Sequence, residues 1–350
     1  MRPLADLAVI IVSTNEAGWL EPCLRTVLSH AGETTLDVVV IDNESTDGTR
    51  ELVESCFPAA RVLTTPNHGF GHANNRGAVT CNARYLLFLN PDTEIVSGTL
   101  GELVAQMDAR PGVGLAGIRQ ITADGTLWPT IRYFPSPLRA LGEALWSSRW
   151  PLKPRWSGEL EQDLSVYERE YPCDWTSGSF MLCRREALLS AGLMDERFFI
   201  YSEEPDLSLR MKRAGWQTLH LPTMTIVHHA SKAGIRPRNV AQDAYARQQY
   251  ARKHLQPATR AAYVGAIALR HALRALVPSG HADAPRRRAA ARSALATLAG
   301  RLEAPFGAPP PTALAPGAAT VEDADTDHAP YRGLAEDAAL SATRTARVPA

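Results

Sequence analysis

The first 120 residues alternate short, unbroken apolar runs with segments of helical character. The runs are LAVIIVS (7–13), DVVVID (37–42), RVLT (61–64), YLLFLN (85–90) and, less regularly, VGLAGI (113–118). Apolar residues in succession, rather than at every second position, mark strands covered on both faces. Between them lie WLEPCLRTVLSH (19–30), TDGTRELVESCF (46–57), NNRGAVTCNA (74–83) and GTLGELVAQMDA (98–109), which read as crossover helices. The expectation is a doubly wound α/β sheet flanked by helices. Such sheets bind ligands at the carboxyl ends of their strands, where Asp42 and Asp92 both fall.

At 350 residues and 45% hydrophobic composition, the chain can bury a sizeable core. Lysine plus arginine and aspartate plus glutamate balance at 37 each, so no global field draws it to nucleic acid and an anionic ligand must be met by local groups. Five cysteines, odd in number and without C-x-x-C spacing, argue against a zinc ribbon or a disulfide framework and fit a reducing cytosol. The apolar run near the N-terminus is too short to span a bilayer and leads straight into fold-like sequence, so neither a signal peptide nor a transmembrane helix is expected.

From 125 to 172 periodicity gives way to a stretch rich in Trp, Pro and Arg, the expected ligand-facing loop with a helix. Residues 174–222 then read as strand, helix, loop, helix, strand. Residues 258–277 carry an apolar face with Arg260, Arg270 and Arg274, which suits a membrane surface or packing against the main domain. From 281 onward Ala, Pro, Arg and Gly dominate, a composition that does not offset its ordering entropy, and disorder is expected. The expected organisation is a main domain over 1–255, with halves 1–120 and 121–255, a helical extension over 256–280 and a disordered tail over 281–350.

Asp42, in IDNESTDGT (41–49), is placed to accept hydrogen bonds from a nucleoside, a ribose hydroxyl or a base N–H, while Asp42 to Asp47 equally offers helix caps. The first turn, STNEAG, holds one glycine and so lacks the G-x-G-x-x-G of a dinucleotide-binding dehydrogenase. PNHGFGHANNRG (66–77) sets three glycines among amides; glycines let backbone N–H groups approach a ligand and asparagines read a sugar or base without charge. Any one of them alone is also explained by a glycine turn and a capped helix. Asp92, in LNPD, suits a hard divalent cation completed by phosphate oxygens, or caps a following helix with Thr93 and Glu94. FFIYSEEPDL (198–207) places three carboxylates within four positions beside aromatic residues; crowding and burial move a carboxyl toward the range of a general base. Glu204 is the candidate, and Asp206 reads as a complement to the helix dipole. In VHHASK (227–232), His228 or His229 is available to join Asp92 on a metal.

In this order the motifs resemble the inverting glycosyltransferases of family 2, which have the GT-A fold, over about residues 5 to 255. VSTNE is similar to their opening strand, VVVIDNESTDGT to the nucleotide-binding second strand, LNPD to the metal-binding D-x-D, DWTSGSFMLCRREAL to the acceptor-side segment and FFIYSEEPDLSLR to the motif of the catalytic base. NHGFGHANNRG with LNPD is most similar to the rhamnosyltransferase-like branch, whose members often take dTDP-L-rhamnose. The resemblance implies a GT-A mixed, mainly parallel sheet. It implies Thr14, Asn15 and Asp42 at the nucleotide, with Asn43, Asn67, Gly69, Asn74, Asn75 and Asn90 also on the donor side. Asp92 would hold Mg²⁺ or Mn²⁺, with His228 matching the family's histidine better than His229. Asn90 replaces the first carboxylate of D-x-D, which should weaken the metal. Glu204 is implied as the base, where the family commonly has E-D, and Trp175, Ser177, Gly178 and Glu203 as the acceptor side, joined by the loop of Trp128 and Trp146.

The implied activity is transfer of a sugar with inversion, L-rhamnose from dTDP-L-rhamnose, onto a hydroxyl of a saccharide or lipid-linked acceptor in cell-surface polysaccharide synthesis. The competing expectations are a UDP-hexose donor and a non-catalytic nucleotide-sugar-binding scaffold. A sugar nucleotidyltransferase would want a glycine- and lysine- or arginine-rich phosphate loop, which STNEAG lacks. The expected location is the cytoplasm, with peripheral contact at the inner face of the membrane as an option.

Overall fold

The structure is a computed structural model and describes residues 4–146, 154, 156–229, 236–276, 284–301 and 304–307. Its elements in chain order are β1 (Ala5–Ser13), α1 (Ala17–Ser29), β2 (Leu36–Asp42), α2 (Thr49–Cys56), β3 (Ala60–Thr64), α3 (Phe70–Thr80), β4 (Ala83–Leu89), β5 (Thr93–Ser97), α4 (Leu100–Asp108), β6 (Val113–Ile121), α5 (Pro137–Leu145), β7 (Tyr171–Cys173), β8 (Phe180–Arg184), α6 (Arg185–Ala191), α7 (Glu203–Arg213), β9 (Gln217–His228), α8 (Pro237–His254), α9 (Pro257–Ala275) and α10 (Ala284–Leu298).

The strands form one mixed sheet in the order β3-β2-β1-β4-β8-β6-β9-β5, with β7 also pairing to β9. The first four are mutually parallel. β8 runs antiparallel to both β4 and β6, and β5 and β7 antiparallel to β9. The unbroken apolar runs are explained by helices on both faces. Leu7, Val9 and Ile11 of β1 point to a cluster completed by Leu20, Leu24 and Val27 of α1 and Leu103 of α4. Ala8 and Ile10 point the other way, onto Ala73 and Ala78 of α3 and Leu207 of α7.

Beyond the sheet, α9 packs Tyr263, Ala266 and Ile267 with Ala140 of α5 and Ala251 of α8 into a separate small core. Residues 284–298, expected to be disordered, are a helix instead. Alanine has the highest helix propensity, and Ala290, Ala291 and Ala294 bury one face of α10, whose Leu298 carbonyl accepts from Gln248 Nε2 at 3.1 Å. The small residues that make a poor core permit a close helix contact. The rest of the expected tail, 308–350, lies outside the described residues, as do 281–283 and 302–303.

Candidate active site

The carboxyl ends of β1 and β2 lie side by side, with Ser13 paired to Asp42. Asn15 follows in the left-handed region, φ 56°. Its side chain accepts the Thr46 N–H at 2.8 Å and its own N–H donates to Ser45 Oγ at 2.9 Å, locking the first turn to the second. Thr14 is exposed beside it. The buried Asp42 carboxylate accepts the Ser45 N–H at 3.0 Å. Helix capping falls to Asp47, which accepts the Ala17 N–H at 2.8 Å at the start of α1 and the Thr49 hydroxyl at 2.6 Å at the start of α2. Asn43 Nδ2 donates to Asn67 Oδ1 at 3.2 Å, and Asn43 Oδ1 is buried without a partner.

The Asn/Gly run divides. Asn67 is exposed. Gly69 is buried at φ +103°, where an added Cβ would overlap the Phe199 carbonyl, and the Phe70 N–H donates to that same oxygen at 2.7 Å. Asn74 Nδ2 donates to the Phe70 carbonyl at 3.0 Å and its Oδ1 is buried without a partner. Asn75 is committed at both ends: Nδ2 donates to Met194 O and Glu196 Oε1, each at 2.9 Å, and Oδ1 accepts the Met194 N–H at 3.0 Å. Gly69 and Asn75 therefore brace the segment leading into α7.

β4 ends at Leu89, and the Asn90 N–H donates to the Ser179 carbonyl at 3.0 Å. Asp92 sits in the turn that follows and the chain enters β5, so Asp92 caps no helix; α4 is capped by Thr99 and Glu102 in a reciprocal box. β5 pairs with β9 so that Thr93 stands opposite His228. His228 Nε2 lies 3.4 Å from Asp92 Oδ1, and His228 Nδ1 is buried without a partner. His229 turns away, 2.6 Å from Glu94 Oε1 and stacked on Trp19 at 4.7 Å. Trp128 meets His228 edge-on at 5.8 Å. Among the described residues no group of three or more His, Cys, Asp and Glu stands ready to hold a metal alone. Glu16 was missed in the sequence: burial, then the charges of Asp92 and Asp47, push its carboxyl up to about 7. Its place in STNE was the available signal.

α7 begins after two consecutive non-glycine residues in the left-handed region, Tyr201 at φ 72° and Ser202 at φ 69°. Such conformations persist where the surroundings impose them. Glu203, expected on the acceptor side, points inward at 2% exposure with Oε2 unpartnered. Glu204 is half-buried and its Oε1 accepts the Gly178 N–H at 3.1 Å. Burial raises the pKa of both carboxyls; the Glu204 charge adds to the rise at Glu203, while the Gly178 amide and Arg132 oppose it at Glu204. Arg132, absent from the sequence reading, lies with its guanidinium 5.1 Å from the centre of the Trp175 ring. Trp175 is 8% exposed and donates from Nε1 to the Tyr133 carbonyl at 2.9 Å, which makes it a wall behind Arg132 more than an open sugar platform. Ser177 Oγ lies 3.1 Å from Ser179 Oγ. Asp206 does more than complement a dipole: it is fully buried against Arg210 (2.8 Å), Lys253 (2.6 Å) and His254 (2.6 Å), tying α7 to α8.

A backbone hydrogen bond at the end of the β4–β8 pair links the turn of Asp92 to the segment that holds Glu204. Asn90, two residues before Asp92, donates to Ser179, the residue after Gly178 that holds Glu204. Asp92 and Glu204 are thereby anchored to the same end of the β4–β8 pair. The arrangement offers a raised carboxylate for proton removal and an acid–imidazole pair suited to a hard cation.

The glycosyl transferase family 2 profile matches residues 8–189. An N-acetylglucosaminyl-diphospho-decaprenol L-rhamnosyltransferase of Mycobacterium tuberculosis (strain CDC 1551 / Oshkosh) is 33% identical over 235 residues, which is 64% of this chain and 76% of that protein. Rhamnosyltransferase WbbL of Escherichia coli (strain K12) is 23% identical over 230 residues, 63% of this chain and 83% of that one. Among solved structures, S. aureus TarS 1-349 in complex with UDP-GlcNAc superposes with a TM-score of 0.50 at 16% identity, covering 84% of this chain and 81% of that chain. That likeness bears on the fold.

Proposed function

This chain belongs to glycosyl transferase family 2, and we propose that it moves L-rhamnose from dTDP-L-rhamnose, with inversion, onto a hydroxyl of a lipid-linked saccharide during cell-surface polysaccharide synthesis. The observation that carries the reading is that the Asn90–Ser179 and Gly178–Glu204 hydrogen bonds tether the turn of Asp92 and the side chain of Glu204 at the same end of the β4–β8 pair. The rhamnosyltransferase relatives, one of them named for a diphospho-decaprenol acceptor, support the choice of sugar and of acceptor.

In the proposed reaction Glu204 takes the proton of the acceptor hydroxyl as its oxygen attacks the anomeric carbon, and the nucleoside diphosphate leaves from the opposite face. The half-buried position of Glu204 suits this task, because a carboxyl with a raised pKa is the stronger base. In this reading Asp42, Asn43, Asn15, Thr14 and Asn67 serve the nucleotide, and Asn74 and Asn90 the rest of the donor. Asp92 and His228 are the residues that would hold a Mg²⁺ or Mn²⁺ ion, with diphosphate oxygens and water completing the shell. Such an ion, when bound, neutralises charge on the leaving diphosphate. Arg132, Ser177 and Gly178 border the acceptor side.

Incubating the chain and Mn²⁺ with dTDP-, UDP- and GDP-sugars, and following donor consumption by mass spectrometry, tests the reading. dTDP-L-rhamnose is expected to be consumed first. Consumption of a UDP-hexose with dTDP-L-rhamnose untouched would overturn the choice of donor.

A further inference from the structure

Helices α5 and α9 carry a second apolar face, turned away from their shared core. On α9, Tyr263, Ala266 and Ile267 pack inward. Ala262, Gly265, Leu269, Leu273 and Leu276 recur at three- and four-residue spacing on the other side, and all five are exposed. Residues at that spacing share one helix face, so this helix is apolar on two sides. Along α5, Leu138 and Leu145 are exposed on the matching side, and half-buried Leu141 between them packs against the shared core at the floor of the groove. The stripes meet in an open groove of about 490 Å³ lined by Pro137, Leu138, Leu141, Gly265 and Leu269. No helix of the described residues is long and apolar enough to cross a membrane.

The charge of this region is one-sided. Residues 257–301 hold eight arginines and one carboxylate, Asp283, in a chain whose charges balance overall. Arg270 is paired with Glu143 at 2.7 Å. Arg274 on α9 and Arg286, Arg287 and Arg292 on α10 are exposed.

We propose that this face rests on an anionic lipid bilayer, with the α5 and α9 leucines in the interfacial region and the arginines at lipid phosphates. A protein partner would be served by the leucines alone; the excess of eight arginines over one carboxylate in residues 257–301 selects a negatively charged surface. The site and the face are close in sequence. Arg132, within electrostatic reach of Glu204, precedes Pro137 by five residues, at most ~17 Å of extended chain. The inference rests on the proposed function in one respect: a lipid-linked acceptor would reach Glu204 from the surface this face touches.

The test is flotation of the full chain with phosphatidylcholine vesicles with and without phosphatidylglycerol, at low and high salt. The wild type should float with the anionic vesicles and be released by salt. Leu269→Glu/Leu273→Glu should lower the bound fraction at least about tenfold. Arg274→Glu/Arg286→Glu/Arg287→Glu should abolish the preference for phosphatidylglycerol. All five positions are exposed, and thermal melts of both variants separate lost binding from lost fold. Failure of the wild type to float, equal flotation of the leucine variant, or a dimer in solution that the leucine variant dissociates would each overturn the proposal. A chain that floats without consuming dTDP-L-rhamnose overturns the choice of donor and leaves this inference standing.

Discussion

The Gly178 N–H donates to Glu204 Oε1 at 3.1 Å, and a Cβ at position 178 would stand 2.8 Å from that oxygen. The missing side chain is what lets the carboxylate sit against the backbone. Gly178→Ala is therefore expected to push Glu204 out of line without touching the nucleotide side. A small displacement of a reacting group costs on the order of 10²-fold, so kcat should fall by about that factor while the donor Kd changes little. Steady-state kinetics with donor titration by calorimetry measures both.

Glu204 must be deprotonated to act, and burial raises its pKa above the ordinary value of 4.5, with the Gly178 amide and Arg132 opposing the rise. Activity should then fall as pH drops through a limb lying above the usual carboxylate range. Arg132→Met removes a cation that favours the charged form, so the limb should move to higher pH. A kcat/KM profile against pH for both proteins reads this; a profile unmoved by the substitution would exclude Arg132 from the role.

Glu203 is 2% exposed, and burial followed by the charge of Glu204 raises its pKa well above 4.5. A carboxyl whose folded pKa is raised contributes its stability below the unfolded pKa and loses it as pH rises, so at neutral pH the wild type carries the cost. Glu203→Gln should stabilise the fold by roughly 1–2 kcal/mol at pH 7, with the gain vanishing near pH 4. Thermal melts at the two pH values test it.

Asp206 shows the opposite sign. Burial alone would raise it, but hydrogen bonding to His254 and the charges of Arg210 and Lys253 hold it well below the ordinary carboxylate range. Its stability is present above the unfolded pKa and lost as pH falls through the folded one. Asp206→Asn removes the carboxylate from partly buried Arg210, while Lys253 keeps Asp195 at 2.6 Å, and should cost about 3 kcal/mol at neutral pH, the low end for a broken buried pair, read by urea unfolding.

The parallel half of the sheet was legible in the sequence because β1, β2 and β4 are covered by helices packed on both faces, which leaves unbroken apolar runs. β5 and β7 are short and lie against β9: YPC carries no strand signal, and the three β-branched residues of TEIVS are too few to form a distinct run between Asp92 and α4. The order of the site motifs was likewise readable, since Asp42 and Asp92 each follow a strong strand. What the sequence did not disclose is which member of a cluster faces where. Glu204 and Glu203 are neighbours, yet one reaches Gly178 and the other is buried, because successive residues of α7 project about 100° apart around the helix. Asn75 looked like a ligand contact and Arg132 like loop; only the packing of residues 194–199 and the Arg132–Trp175 stacking separate them. The alanine-rich segment of α10 was misread for lack of large apolar residues, although small ones suffice where helices pack closely.

The central claim is that Glu204 removes the acceptor proton, and Glu204→Gln tests it most directly. Gln keeps the size and a hydrogen-bonding oxygen while removing the base. With dTDP-L-rhamnose and a lipid-linked saccharide, turnover should fall by ~10²–10⁴-fold, with donor affinity retained. Turnover close to the wild-type rate in the purified variant would contradict the assignment.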